Sequence, residues 1–255
     1  MDEALLSRIE DASLNASAPP QQRWMDGWLL RYSPGKARRA RCINAVAAGR
    51  LPLSEKLAYA ATLFAAAELP LLARITRFTQ PPTLDAQLAA LGWAAADTTC
   101  VQVLVDLKRC APAALPVGTE WVQLSAADSA EAVGALRGSP FYQRQAHAQR
   151  LLASPVPYKG YAVRRCDDGS VLAFGQSARE GDLVGLYDIY TREDQRGRGW
   201  AAMVCERLLS QASSEGAAVG YLQVESSNNP ALRIYQRMGF VDGYSYHYRE
   251  PPAVV

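Results

Sequence analysis

The residues of this chain that are best placed to do chemistry lie in a glycine-containing loop between a predicted strand and a predicted helix. An apolar run at 186–190 leads into a polar turn at 191–195 and then into Arg-Gly-Arg-Gly at 196–199. Apolar residues then recur every fourth position over 200–212, which predicts an amphipathic helix. A strand, a glycine loop and a helix direct backbone N–H groups and the positive end of a helix dipole at one point. The loop therefore predicts a phosphate or pyrophosphate site.

A second patterned segment follows after about thirty residues, which is the spacing of a βαβ unit. Residues 221–225 predict a strand, and residues 228–240 predict a helix that Asn228 and Pro230 open and Gly239 closes. An ordinary strand-to-helix turn with surface arginines would explain the first segment alone, because a short glycine motif is weak evidence. The second segment at this separation favours the anion site.

Together the two segments resemble the GNAT superfamily of acetyl-CoA-dependent N-acetyltransferases. The loop Arg196-x-x-Gly199-x-Ala201 is similar to the acyl-CoA-binding pattern of that family. The stretch Asn228-x-Pro230-Ala231-x-x-x-Tyr235-x-x-x-Gly239-Phe240 looks like the second signature of the family. The detailed resemblance covers residues 171–248.

The resemblance implies a role for each of these positions. Backbone N–H groups of the loop would bind the CoA pyrophosphate, and the preceding strand would hold the pantetheine arm, with a main-chain N–H polarising the thioester oxygen. Tyr235 matches the general-acid tyrosine, although its helical spacing also fits core packing. Asn228 matches an asparagine near the pantetheine arm and also suits a helix cap. The cofactor-binding residues are therefore expected to be Ile189, Tyr190, Thr191, Arg196, Gly197, Arg198, Gly199, Trp200, Ala201 and Asn228.

The general base is open at the level of the sequence. Asp188 and Glu225 lie on the two predicted strands that flank the expected thioester position, and either could act directly or through a water molecule. The alternatives are an ordered water molecule as the base, with no dedicated carboxylate, and a structural role for each of the two carboxylates. His147 and His247 are interpreted as structural. No spacing typical of metal ligands is present in the sequence, so no metal is expected.

The order of predicted elements repeats along the chain. Residues 41–107 and residues 183–248 have the same predicted order, namely strand, loop, helix, strand, helix, a Gly-aromatic pair and strand. The loop of the first copy, 49–53, has one glycine and a proline, which removes an N–H donor. We therefore expect an α/β (α+β) fold of two GNAT-like domains, each a mixed, mostly antiparallel twisted sheet flanked by helices. The expected divisions are a degenerate domain 1–107, a linker 108–118 and a catalytic domain 119–255.

Composition limits the class of protein and its compartment. The length of 255 residues suits two globular domains, and a net charge of +2 is too small to indicate nucleic-acid binding. No apolar run approaches the roughly twenty residues that cross a bilayer, so no membrane association is expected. Five scattered cysteines without a Cys-x-x-Cys pair indicate a reducing cytoplasm. They are Cys42, Cys100, Cys110, Cys166 and Cys205.

These features together predict a cytoplasmic N-acetyltransferase that uses acetyl-CoA. It would move an acetyl group to a primary amine of a small molecule or peptide by direct attack in a ternary complex. Cys205 falls on the apolar stripe of its helix and is unsuited to carry an acyl group. The alternatives are a non-catalytic acyl-CoA-binding or sensory module and an acyltransferase that uses another donor, such as succinyl-CoA. The acceptor has no recognisable motif, and a homodimer is an expectation taken from the family alone.

Overall fold

The computed structural model describes residues 1–34, 37–109, 111–112 and 114–252. Cys110 lies outside the described residues, as does part of the expected linker. Within the described chain, no helix is both long enough and apolar enough to span a bilayer. The helices are α1 Glu3–Ala16, α2 Leu53–Ala66, α3 Leu84–Ala90, α4 Ala126–Leu136, α5 Phe141–Ala153, α6 Trp200–Ser214 and α7 Asn229–Arg237. The strands are β1 Gln22–Met25, β2 Trp28–Arg31, β3 Ile43–Ala45, β4 Ala73–Ile75, β5 Ala94–Leu104, β6 Thr119–Leu124, β7 Tyr158–Arg165, β8 Val171–Glu180, β9 Leu183–Thr191, β10 Val219–Glu225 and β11 Val241–Glu250.

The chain packs into two compact units, and neither unit is one continuous stretch of sequence. The first unit contains Met1–Ala16, Val101–Val224 and Asn228–Gly243. The second contains Ser17–Cys100, Glu225–Ser227 and the C-terminal residues from Tyr244. These units are defined by packing and not by repetition of a fold, so the domain boundaries expected at 107 and 119 stay a prediction.

In the first unit, helices cover both faces of a sheet in which β10, β9, β8, β7 and β6 are consecutive neighbours. The neighbouring strands β6 to β9 run antiparallel, whereas β9 and β10 are parallel because α6 crosses between them. Side chains alternate between the faces of a strand. Phe174 packs with Val133 of α4, while a Cβ at the next position, Gly175, would meet Val204 of α6.

An irregularity in the pairing of β8 with β9 shapes the edge of this sheet. Phe174 pairs with Tyr190 and Gln176 pairs with Tyr187, so Asp188 and Ile189 both face the single residue between them on β8. This is a β-bulge, and Asp188 within it has a φ of +51°, which is uncommon for a residue with a side chain. Bulges bend a strand and increase its twist.

The parallel strands β9 and β10 diverge beyond this point. Their register, over the described residues, pairs Leu183–Leu186 with Val219–Leu222, whereas β9 continues to Thr191 and β10 to Glu225. The sheet is therefore open between the carboxyl ends of the two strands. In open α/β sheets, ligands bind at the carboxyl ends of parallel strands.

The second unit repeats the element order of the first. The succession β3, α2, β4, α3, β5 matches β9, α6, β10, α7, β11, and in both cases the first two strands are parallel. This is the duplication that the sequence predicts. The core of the second unit includes Trp28, Leu30, Ile43, Phe64 and Leu88. The end of β11 completes this unit by pairing antiparallel with β4.

We expect replacement of Gly175 by alanine to destabilise the fold. A Cβ there would lie 2.5 Å from Val204 Cγ1 and 2.7 Å from Ile189 Cδ1, both in the packed interface beneath the bulge. Overpacking of this kind costs about 1–3 kcal/mol of unfolding free energy. Urea denaturation followed by circular dichroism measures the loss, and an unchanged midpoint would show that the bulge adapts freely.

Candidate active site

The loop before α6 presents a row of backbone N–H groups with no acceptor from the protein. Gly197 and Gly199 have φ values of +79° and +83°, and no atom lies within 4 Å of a Cβ built at either position. The backbone conformation, and not crowding, therefore requires glycine. Among the described residues, no hydrogen bond is formed by the N–H groups from Gly197 to Ala202, and no side chain caps the helix. Unpaired N–H groups at a helix N-terminus favour an anion.

A cavity of about 630 Å³ adjoins this row of N–H groups. Its volume is within the range of about 300–1,000 Å³ that is typical of small-molecule sites. Seven of the ten expected cofactor-binding residues line it. The lining consists of Thr191, Gln195, Arg196, Gly197, Gly199, Trp200, Ala201, Ala202, Glu206, Asn228, Pro230, Ala231, Ile234, Arg237 and Met238.

Asn228 has the capping role that its position predicts. Its side-chain oxygen accepts a hydrogen bond from the Ala231 N–H at 3.3 Å, and α7 begins at the next residue with Pro230 in its first turn. The cap fixes the start of α7 beside the cavity.

Three of the expected cofactor-binding residues do not line the cavity. Ile189 lies on β9 and packs on the α6 side of the sheet. The Tyr190 hydroxyl accepts a hydrogen bond from Arg196 Nη2 at 3.3 Å, and the guanidinium groups of Arg196 and Arg137 lie 5.8 and 5.4 Å from the Tyr190 ring centre. Arg198 is exposed on the loop. Tyr190 therefore orients Arg196 near the cavity, where cation–π contacts add to the hydrogen bond.

Tyr235 is a buried residue of α7. Its ring packs against Phe240, with 5.9 Å between ring centres, and it is not part of the cavity lining. Burial, with a smaller contribution from neighbouring Cys205, raises the pKa of the phenol above its ordinary value. The hydroxyl has no hydrogen-bond partner among the described residues. It is therefore protonated at neutral pH and free to donate.

Asp188 lies at the centre of a polar cluster on the other face of the sheet. Its Oδ1 accepts a hydrogen bond from Arg137 Nη1 at 2.9 Å, and its Oδ2 accepts one from Gln176 Nε2 at 2.6 Å. His147 Nε2 lies 3.2 Å from the same Oδ2. Burial alone would raise the pKa of the carboxyl, but the contact with His147 and the charge of Arg137 hold that pKa well below its usual value. Asp188 is therefore ionised and a weak proton acceptor.

Glu225 has a different environment from Asp188. It is exposed at the end of β10, and it belongs to the second compact unit. Among the described residues it forms no ion pair. The assignment of the general base to Asp188 or to Glu225 stays a prediction.

Three partners of Asp188 have no signal of function in the sequence. Arg137 follows α4, His147 lies in the polar helix α5, and Gln176 lies on β8. Their meeting depends on the bulge and on the packing of two helices against the sheet, which no spacing along the chain encodes. The other histidine, His247, lies in the second unit with its Nε2 3.0 Å from Asp85 Oδ1.

Comparison with known proteins assigns a family to this geometry. Residues 121–240 match the family model described as "Acetyltransferase (GNAT) family". These residues are a GNAT acetyltransferase domain. The matched range contains the bulge, the glycine loop, the cavity and Tyr235.

Two relatives of the GNAT domain are enzymes of bacteria. An uncharacterized N-acetyltransferase of Bacillus subtilis, YobR, is 30% identical over 108 residues, which cover 38% of this chain and 44% of the relative. An L-methionine sulfoximine/L-methionine sulfone acetyltransferase of Pseudomonas aeruginosa is 32% identical over 89 residues, which cover 32% of this chain and 52% of the relative. The chain thus spans about half the length of the relatives that it matches.

Solved structures extend the GNAT fold to the whole chain. A GCN5-related N-acetyltransferase from Kribbella flavida has a TM-score of 0.69 at 17% identity and covers 98% of this chain and 96% of its own. A tandem GNAT protein from the clavulanic acid biosynthesis pathway has a TM-score of 0.67 at 13% identity and covers 100% of this chain and 97% of its own. The predicted fold class is confirmed.

We expect the substitution Asp188→Asn to lower stability at neutral pH. The loss of a partly buried anion leaves the Arg137 charge uncompensated, which costs about 3 kcal/mol. Because the pKa of Asp188 is depressed in the folded state, its contribution is present above the ordinary aspartate pKa of about 4 and is lost as the pH falls.

Urea denaturation of wild type and of Asp188→Asn at pH 7 and at pH 3.5 measures this contribution. The difference between the two proteins should shrink at the lower pH. Asp194→Asn is the control, because Asp194 lies exposed on the loop and its charge is solvated. An equal effect of both substitutions would contradict the role of burial at Asp188.

Proposed function

We propose that this chain is an acetyl-CoA-dependent N-acetyltransferase that acetylates a primary amine by direct attack in a ternary complex. The observation that carries the proposal is the row of unpaired N–H groups from Gly197 to Ala202 beside a cavity of about 630 Å³. The GNAT family match of residues 121–240 supports the reaction class.

The residues around the cavity fit acetyl-CoA. The row of N–H groups and Arg196 suit its pyrophosphate, while Trp200, Ile234 and Met238 offer apolar walls. The divergence of β9 from β10 leaves the edge of β9 open to a pantetheine arm. When bound there, acetyl-CoA supplies the activated acetyl thioester. The chain binds and orients this thioester and moves the protons.

Tyr235 is proposed as the general acid that protonates the departing thiolate. Its phenol is protonated at neutral pH, and its hydroxyl has no competing partner among the described residues. The low pKa and three partners of Asp188 disfavour direct proton removal by that carboxylate. Removal through a water molecule is compatible with both Asp188 and Glu225.

The acceptor is proposed to be a small molecule or peptide with a primary amine. A relative that is 32% identical over 89 residues is named for L-methionine sulfoximine and L-methionine sulfone, so these two amines are the first acceptors to test. A cytoplasmic location is consistent with the free thiols of Cys42, Cys166 and Cys205. A homodimer stays a prediction from the family.

A non-catalytic acyl-CoA-binding module is the second candidate function. It is favoured by one observation, namely that Tyr235 is not part of the cavity lining. Tight binding of acetyl-CoA without thiol release in the presence of any amine would support the module. A comparison of acetyl-CoA with succinyl-CoA in the same thiol-release assay identifies the donor.

The second unit is proposed to bind no acyl-CoA, because its own carboxylate already occupies the matching loop. Asp26 accepts hydrogen bonds from the Arg50 N–H at 2.8 Å and from the Leu51 N–H at 2.9 Å, just before α2. Lys56 Nζ lies 3.3 Å from the same carboxylate. Two N–H groups of the loop before α2 are thus bound internally, whereas the N–H groups of the loop before α6 are unpaired among the described residues.

We expect Tyr235→Phe to lower kcat by about 100-fold, because it removes the proton donor for the leaving thiolate. The Kd for acetyl-CoA should change little, since the phenol is not part of the cavity lining. Thiol release measures kcat, and calorimetry measures the Kd. Tyr59→Phe in the second unit is the control, and an unchanged kcat in Tyr235→Phe would remove Tyr235 from the mechanism.

We expect one acetyl-CoA to bind per chain, and Gly199→Ala to weaken that binding at least tenfold. An L-residue at a φ of +83° is strained by roughly 1 kcal/mol and shifts the N–H groups that hold the anion. Gly118→Ala is the matched control, since its φ is +79° with nothing near its Cβ and it does not line the cavity. Two sites per chain by calorimetry would contradict the assignment of the second unit.

A further inference from the structure

His147 has a position that its sequence context does not indicate. Its Nε2 lies 3.2 Å from Asp188 Oδ2, and the two side chains are only 15% and 17% exposed. Asp188 belongs to the β-bulge and directly precedes Ile189 and Tyr190 on β9, the strand whose edge is open to the pantetheine arm in the proposed function. The imidazole therefore lies beside the part of β9 that precedes the glycine loop.

The carboxylate of Asp188 is arranged to hold its neighbours and not to accept a proton. Arg137 occupies Oδ1, while Gln176 and His147 share Oδ2. A carboxylate that already accepts hydrogen bonds from a guanidinium and an amide has fewer lone pairs left to bind a substrate ammonium. Histidine is the side chain that most often acts as the general base in proton transfer, and His147 is the histidine of this cluster.

We propose that His147 is the general base of the acetyl transfer and that Asp188 is the positioning residue that orients its ring. This proposal rests on the proposed function, because it assigns the base of that reaction. It differs from direct or water-mediated proton removal by Asp188 or Glu225.

The two ring nitrogens of His147 have different surroundings. Nε2 is shielded from solvent and faces Asp188. Nδ1 has no hydrogen-bond partner among the described residues. The contact at Nε2 is not aligned as a formed hydrogen bond, as is common for catalytic groups before substrate binds. A carboxylate at Nε2 favours the tautomer with the proton on Nε2, which leaves the Nδ1 lone pair to accept a proton.

The charges around the ring come from three elements. Asp188 on β9 is the facing anion, and Arg137 after α4 binds the far oxygen of that anion. On α5 itself, Arg150 contributes positive charge to the same cluster, while Arg144 is paired with Glu131 of α4.

The proposed step balances in atoms and charge. The lone pair of the neutral amine forms the C–N bond to the acetyl carbon, and the N–H proton passes to Nδ1 of His147. The C–S bond breaks, and the departing sulfur takes the proton of the Tyr235 hydroxyl. The products are an amide and the free thiol of CoA, and solvent then removes the proton from His147 and restores that of Tyr235.

The kinetic test compares two histidine variants in a thiol-release assay with acetyl-CoA and a panel of primary amines that includes L-methionine sulfone. His147→Ala should lower kcat by about 100-fold while the Kd for acetyl-CoA is unchanged. Added imidazole should restore at least a tenth of the wild-type kcat. His247→Ala, which removes the other histidine–aspartate contact, should retain wild-type kcat.

A spectroscopic test uses the fact that the chain has two histidines. In the full-length protein labelled with ¹⁵N-histidine, the His247→Ala variant leaves one imidazole signal in long-range ¹H–¹⁵N spectra. In the neutral form of the His147 ring, the proton should be on Nε2 and none on Nδ1. This measurement needs no active enzyme and no His147 variant that folds.

Each outcome has a distinct meaning. A fully active His147→Ala, a loss of activity that imidazole does not rescue, or a proton on Nδ1 in the spectra overturns the role of His147. Wild-type activity together with any of these results leaves the proposed function intact. No thiol release from wild type with every amine overturns the proposed function itself, and the role of His147 with it.

Discussion

The bulge between β8 and β9 is the constraint on which the candidate active site depends. Tyr187 and Asp188 are adjacent in sequence, yet Tyr187 contacts Tyr158 beside α1 and Asp188 contacts His147 of α5. In a regular strand, adjacent side chains would point to opposite faces. The extra residue places both on one face and leaves Ile189 toward α6. The same irregularity coincides with the divergence of β9 from β10. The bulge therefore lies where the sheet opens and also where the side chains around Asp188 meet.

The two glycine-containing loops show how one backbone arrangement serves two purposes. In the first unit the N–H groups before α6 are unpaired, and their partial positive charge faces a cavity. In the second unit Asp26 accepts hydrogen bonds from two N–H groups of the loop before α2 and is itself paired with Lys56. An internal carboxylate stabilises the helix terminus as a ligand phosphate would. The second loop is thereby held by its own carboxylate, whereas the N–H groups of the first loop stay unpaired among the described residues.

Much of the fold and part of the site follow from the sequence. The loop glycines, the cap at Asn228 and the repeated order of elements have local signals, and the structure contains all three. The short strand β1 has no such signal, because its residues are mostly exposed and do not alternate. The cluster around Asp188 was not predicted for a different reason, because it depends on how α4 and α5 pack against a bulged strand that is distant in sequence.

The discontinuity of both units along the sequence has a consequence for the synthesis of the chain. The unit with the GNAT domain incorporates α1, which precedes its other elements in the sequence, and the other unit incorporates the end of β11, which follows its other elements. Domains often fold one after another as they emerge. Here α1 must wait for more than a hundred residues before the strands that it packs on exist, and β4 must wait for the pairing partner that β11 supplies. Neither unit is therefore complete until residues on both sides of the other unit's main segment have been synthesised. A cut between residues 107 and 119 would separate each unit from a segment that completes it.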